Sequence, residues 1–111
     1  MPMPPFAIVA HPADAGVACL ALHGEVDAEA AEALEAAVAR AGRQAGVSDV
    51  VLDLTAVTFL DAAGVAAVVR SALAAADGGV RLRTQGACGI VRRVLEVTGV
   101  HAWLRAAPQR R

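Results

Sequence analysis

Apolar positions change their period five times along the chain, and each change marks a new element. Phe6 to Ala10 and Val17 to His23 are extended apolar segments joined by HPADAG at 11–16, a stretch rich in turn formers, so the spacing predicts a β-hairpin with a long loop. GEVD at 24–27 follows, and Asp27 is placed to cap a helix over AEAAEALEAAVARA, in which Ala31, Leu34, Val38 and Ala41 form one stripe. Glu29, Glu32 and Glu35 come early in that helix and Arg40 and Arg43 late, the order the helix dipole favours, and they read as its solvated face.

The stretch around which the chain is organised is LDLTAVTFLDAAG at 52–64. Val50, Val51, Leu52 and Leu54, broken only by Asp53, form a run expected of a central strand covered on both faces. A short crossing then leads to Asp61, whose carboxylate can cap a helix by accepting from the free N–H of Ala63 or Gly64. Gly64 lets another backbone or a partner come close to the first turn. This second helix is predicted over 62–76, with Val65, Val68, Val69, Ala72 and Leu73 inward, and Asp77, Gly78 and Gly79 ending it. Val80, Leu82 and Thr84 alternate with Arg81 and Arg83 in a strand whose charged face discourages edge pairing. A third helix, 88–98, packs Val91, Val94, Leu95 and Thr98, and Gly99 supplies the left-handed residue at its end with Val100 as the apolar contact beyond. Trp103 and Leu104 are expected to fold back on the sheet, and 108–111 to be tail.

The order is β-β-α-β-α-β-α: an α/β domain with a small mixed sheet of four or five strands and helices packed against it. A chain of 111 residues supports one domain, 1–111, with a core over about 6–105 and a tail at each end.

Composition narrows the chemistry. The 57% hydrophobic share is largely alanine, and no run of about 18 apolar residues is free of charge, so no membrane span is expected. The N-terminal MPMPPF lacks the basic and apolar regions of a signal peptide, and a cytoplasmic protein is expected. All ten basic residues are arginine, and lysine, asparagine and tyrosine are absent, which excludes a P-loop lysine, a Schiff-base lysine and a tyrosine acid. The absence of lysine and the excess of alanine suggest a GC-rich genome. Cys19 and Cys88 are far apart with no CxxC and no histidine beside them, so buried, unpaired thiols are expected rather than a zinc site.

Two other functional classes find little support. Asp53 and Asp61 with His23 or His101 contain the groups of an acid–base pair, but nothing in the sequence brings them together, and no catalytic residue, metal or cofactor is assigned. Residues 80–111 hold seven arginines against one glutamate, and 1–79 hold three arginines against ten acidic residues. The basic part lacks exposed aromatics for stacking on bases, so a solvated or protein-binding surface is expected rather than a nucleic-acid site.

GEVD at 24–27, VVLDLTAVTFLDAAG at 50–64 and VRRVLEVTGV at 91–100 resemble the three signatures of the STAS domain, named for sulphate transporters and anti-sigma-factor antagonists. The resemblance covers nearly the whole chain. It implies a regulatory domain without catalysis whose partner is an anti-sigma factor or kinase-like protein, bound through Thr58, Asp61, Ala62, Ala63 and Gly64. In phosphorylatable members the position of Ala62 is a serine or threonine, modified by that kinase. Here neither Ala62 nor Ala63 has a hydroxyl; Thr55 and Thr58 are the nearest, and they are expected to satisfy local backbone groups. The resemblance therefore leaves open an antagonist without the phosphorylation switch, a scaffold-type member, or a subunit of a lipid- or solute-transport complex. From the helix terminus alone, a small phosphate- or nucleotide-binding module is a third class.

Overall fold

The computed structural model describes residues 6–106. Eight elements follow in order: β1 Phe6–Ala10, β2 Val17–Val26, α1 Ala28–Gly42, β3 Asp49–Leu60, α2 Ala62–Asp77, β4 Arg81–Gln85, α3 Gly89–Val97 and α4 Val100–Ala106. The strands form one sheet in the order β1-β2-β3-β4, with β1 antiparallel to β2 and the other two pairings parallel. This is the mixed four-stranded α/β architecture expected, with one helix more than the sequence pattern predicted.

The hairpin turns where Ala15 and Gly16 take positive φ, 53° and 82°. Its second strand is longer than the apolar run suggests, because parallel pairing to β3 continues to Val26 opposite Leu60. The third strand differs more. What the sequence suggests is a strand at 50–54 and then a crossing is one strand of 12 residues. Between Ala21 and His23 on one side and Asp53 and Ala56 on the other, β3 carries one extra residue, and a second lies between Val57 and Phe59 opposite Gly24 and Glu25. Each bulge shifts the alternation by one position. The buried residues in this half of the strand, Leu54, Val57 and Leu60, are consequently three apart rather than two, which is why a period of two fails to find them.

Alternation and register put Ala18, Leu20, Val50, Leu52 and Leu82 on one face, and all five belong to a single core cluster that also takes side chains from all four helices. Val51 is buried too but lies outside that cluster, beside Cys19 and Arg83 in register. On its face Asp49 and Asp53 are half-buried, and Arg83 Nε donates to Asp49 Oδ2 at 3.1 Å. The expectation of a central strand under core on both faces is thus replaced by one core face and one polar face.

Helix faces are rotated slightly from those expected. In α1 Ala30, Leu34, Ala37, Val38 and Ala41 are buried, while Ala31 is half-buried. In α2 the buried set is Gly64, Val65, Ala67, Val68, Ser71, Ala72 and Ala76; Val69 is half-buried and Leu73 is 46% exposed. The two helices pack against each other, and small side chains at the crossing let them approach closely, so Ser71 rather than Leu73 takes the inward position. Glu35, expected on a purely solvated face, accepts from Arg70 Nη2 on α2 at 2.9 Å. With side-chain exposures of 54% and 36%, that pair contributes about 0–1 kcal/mol.

The C-terminal region carries the remaining differences. Helix α3 buries Val91 and Leu95 as expected, but Thr98 is exposed, its Oγ1 donating to Val94 O at 2.7 Å. Gly99 has the expected positive φ of 81°. Val100, Trp103 and Leu104 then lie on α4, with Val100 and Leu104 buried and Trp103 half-buried; the segment does fold back against the sheet, on β4, but as a helix the sequence pattern did not predict. Arg81 Nη2 ties the edge strand to this helix by donating to Arg105 O at 3.3 Å. The tail expected at 108–111 lies outside the described residues.

Candidate functional site

Two helix N-termini stand side by side at one end of the sheet, because β2 and β3 run parallel and end in register at Val26 and Leu60. Each strand is followed directly by an aspartate in extended conformation, Asp27 (φ −126°) and Asp61 (φ −106°). Asp27 Oδ1 accepts from Glu29 N at 3.0 Å and Ala30 N at 3.2 Å. Asp61 Oδ1 accepts from Gly64 N at 2.9 Å, one of the two donors the sequence offered, and its backbone carbonyl takes Val65 N at 2.9 Å. Each cap contributes typically ~1 kcal/mol of helix stability.

Gly64 is buried, and its close approach is to this chain's own backbone. A Cβ built at Gly64 would collide with the carbonyl oxygen of Val26 and sit 2.8 Å from Leu60 Cδ1. The first turn of α2 is therefore pressed against the end of β2, which leaves Gly64 facing inward while Ala62 is exposed, Asp61 and Ala63 are half-buried, and Thr58 is exposed three residues before the cap. Between them Phe59 is 45% exposed. Sequence reasoning passed over Phe59 because an apolar residue in an apolar run reads as core; only the second bulge turns it outward. Exposed Thr58, Phe59 and Ala62 form a rim of small and apolar side chains around a helix start capped by Asp61.

The aspartates weighed as an acid–base pair are kept apart. Asp53 and Asp61 are eight residues apart on one extended segment, roughly 26 Å at the usual rise per residue. Asp53 Oδ1 instead accepts from Thr55 Oγ1 at 2.6 Å and Thr55 N at 3.0 Å. Those hydrogen bonds, the hydroxyl's first, hold its carboxyl below the ordinary 3.8, helped by the charges of His11 and His23 and opposed by burial. A carboxylate made less basic in this way is a poorer proton acceptor. Gly86, at φ +77°, packs directly on the pair, with room for no Cβ beside Thr55 Oγ1 and Asp53 Oδ1. Thr55 thus has the local role expected of it, whereas Thr58 makes no such hydrogen bond among those found.

Both cysteines are free, but not both are buried as expected: Cys19 is half-buried and Cys88 is exposed at the start of α3, where its side chain makes no capping bond. Burial first and the Asp53 charge second push the Cys19 thiol up. Among the described residues no group of three His, Cys, Asp or Glu side chains is arranged to hold a metal ion, and no helix is long and apolar enough to cross a membrane.

A mixed four-stranded sheet that delivers a carboxylate-capped helix from its central parallel strand defines a STAS-type α/β domain. The chain belongs to the STAS domain family described as "Mlab, STAS domain", whose profile matches residues 10–106. No curated protein matches its sequence. Among solved structures it is similar to an anti-sigma factor antagonist from Mycobacterium paratuberculosis, with a TM-score of 0.64 and 25% identity over 87% of this chain and 80% of that one. It is similar also to the Bacillus cell fate determinant SpoIIAA in its phosphorylated form, with a TM-score of 0.63 and 22% identity over 87% of each chain. The murine anion transporter Slc26a9 matches with a TM-score of 0.70 and 20% identity, over 80% of this chain but 15% of the transporter.

Proposed function

We propose that this chain acts as one non-enzymatic regulatory domain, an anti-sigma-factor antagonist that binds an anti-sigma factor or kinase-like protein in the cytoplasm through the rim around Thr58, Asp61, Ala62 and Ala63, with Gly64 setting its depth. The observation that carries this reading is the exposure of Ala62 at the first helical position, beside exposed Phe59 and Thr58. The similar proteins named as antagonists support the kind of partner. One of them has been seen in a phosphorylated form; at the position where the family resemblance expects a phosphorylatable serine or threonine this chain has Ala62, which lacks a hydroxyl, so in this reading binding is not released by phosphorylation there. Asp61 already supplies a negative group to the helix start, which disfavours the use of this terminus as a phosphate site.

The test is to capture the partner from native cytosol, identify it by mass spectrometry, and titrate it with variants. A carboxylate at the first helical position is tolerated or favoured by about 0.3–1 kcal/mol through the helix dipole, so Ala62→Glu stays folded. Within an interface the same charge loses water at a penalty of several kcal/mol, and affinity falls at least roughly a hundredfold, about 2.7 kcal/mol. Ala62→Ser preserves binding. Unchanged affinity of the glutamate variant places the interface elsewhere.

A second reading, a subunit of a lipid- or solute-transport complex, is supported by the fold shared with part of an anion transporter. Recovery of a membrane transport complex in the same capture, with no anti-sigma factor, decides for it.

A further inference from the structure

Along the C-terminal halves of α1 and α2, away from the capped N-termini, lies a half-open cavity of about 350 Å³. Val38 and Ala39 of α1, Ala74 and Ala75 of α2, and Val80 give it apolar walls. Four polar side chains converge on the same space: Glu35, Arg43, Arg70 and Ser71.

Ser71 is the one buried polar residue among those described, 2% exposed, and its Oγ has no hydrogen-bond partner. A helical serine ordinarily satisfies itself on the carbonyl four residues back, and buried polar groups are rarely left unpaired. Alanine occupies neighbouring inward positions of the same helix, Ala67, Ala72 and Ala76, so packing alone does not call for a hydroxyl here. At the mouth, Arg70 gives both Nε and Nη2 to the single oxygen Oε2 of Glu35, at 3.1 and 2.9 Å. Arg43, exposed at the C-terminal cap of α1 and lining the mouth of the cavity, makes no side-chain ion pair or hydrogen bond among the described residues. Two guanidinium groups against one carboxylate leave the cavity one positive charge in excess.

We propose that this cavity binds a small amphipathic monoanion, a carboxylate on a hydrocarbon body. Apolar walls with a few convergent polar groups are the ordinary make-up of a small-molecule site, and the volume falls at the lower end of the usual range. It has room for about twelve groups the size of a water molecule at about 30 Å³ each, which matches a medium-length acyl chain. Arginine suits the head group because its planar fork meets a carboxylate with two parallel hydrogen bonds. The excess of one charge selects a monoanion over a dianionic phosphate. The carboxylate takes Arg43 and the Ser71 hydroxyl, and the chain lies along Val38, Ala75 and Val80.

This site is separate from the partner-binding rim, and its test does not depend on that reading. Octanoate, well below its micellar concentration, is titrated into the ¹⁵N-labelled full chain, with octylamine as the cationic control of equal length. Saturable amide shifts are expected at residues 38–43 and 70–80, with octylamine at least roughly tenfold weaker, the factor that one lost charge-assisted contact carries. Arg43→Gln, which alters an arginine at the helix end without touching the core, weakens octanoate about tenfold. Ala75→Leu fills the cavity and abolishes saturation, and Ala62→Glu leaves binding as it was. Absence of saturable shifts, equal binding of octylamine, shifts centred outside the cavity, or an Arg43→Gln variant that binds as the parent does would each overturn the proposal.

Discussion

Replacing Gly64 by alanine isolates the packing that sets the depth of the α2 helix start. Gly64 does not have a positive φ, so alanine is conformationally acceptable and brings a propensity gain of about 0.5–1 kcal/mol. Against this stands a Cβ that has no room: it would overlap the Val26 carbonyl oxygen and lie 2.9 Å from Val26 C and 2.8 Å from Leu60 Cδ1. The first two atoms are backbone at the paired end of β2 and cannot rotate away, so the helix must lift as a body, drawing Val65 and Val68 out of the core they help to fill. Overpacking of this kind costs about 1–3 kcal/mol, and with immovable backbone as the obstacle the upper part of that range applies. The net loss is about 2 kcal/mol, and since 1 kcal/mol moves the melting temperature of a domain near this size by about 4–8 °C, Tm falls by roughly 8–15 °C. Gly42→Ala is the matched control: its Cβ meets Val80 side-chain atoms at 3.7–3.9 Å, ordinary contact, so the same change there is neutral or stabilising by up to about 1 kcal/mol. Urea and thermal unfolding of both variants decide the matter. A Gly64→Ala protein that melts with the parent, or above it, refutes the close approach of α2 to β2.

Three further outcomes are expected. Asp61→Ala removes the acceptor for Gly64 N and costs about 1 kcal/mol in urea unfolding, whereas Asp61→Ser retains most of that; equal losses from both would show that the cap is not what matters. Because Thr55 holds the Asp53 carboxyl below its ordinary 3.8, the stability it supplies is complete above that value and is lost as pH falls through the lower folded-state value. Thr55→Val should bring the carbon-detected NMR titration of Asp53 back toward the ordinary value and flatten the acid limb of stability, and an unmoved titration would discount the hydroxyl. Alkylation of the native protein at mildly alkaline pH should modify exposed Cys88 before half-buried Cys19, whose thiol is pushed up by burial and by Asp53, because the thiolate is the reacting form; peptide mass spectrometry showing the reverse order contradicts this.

Much of the molecule is written in local chemistry. The two aspartate caps, the glycines after α2 and α3, and the existence and order of four strands and three helices follow from residue types whose preferences act within a few positions: a carboxylate beside free N–H groups, and a glycine able to take positive φ at residues 79 and 99. The family signatures are equally local, so the STAS assignment needed no coordinates. Tertiary pairing decided the rest. Whether 55–60 is crossing or strand depends on β2 lying alongside to supply hydrogen bonds, and the two bulges that this pairing requires turn Phe59 outward and hide the alternation. Whether Gly64 faces a partner or its own chain depends on where β2 ends, 38 residues earlier at Val26. The inward position of Ser71 and the exposure of Leu73 are set by how closely α1 and α2 cross, and α4 forms from a short segment because Val100 and Leu104 find the shared core. A seven-residue helix has little stability alone, so only the surface waiting for it makes that segment helical.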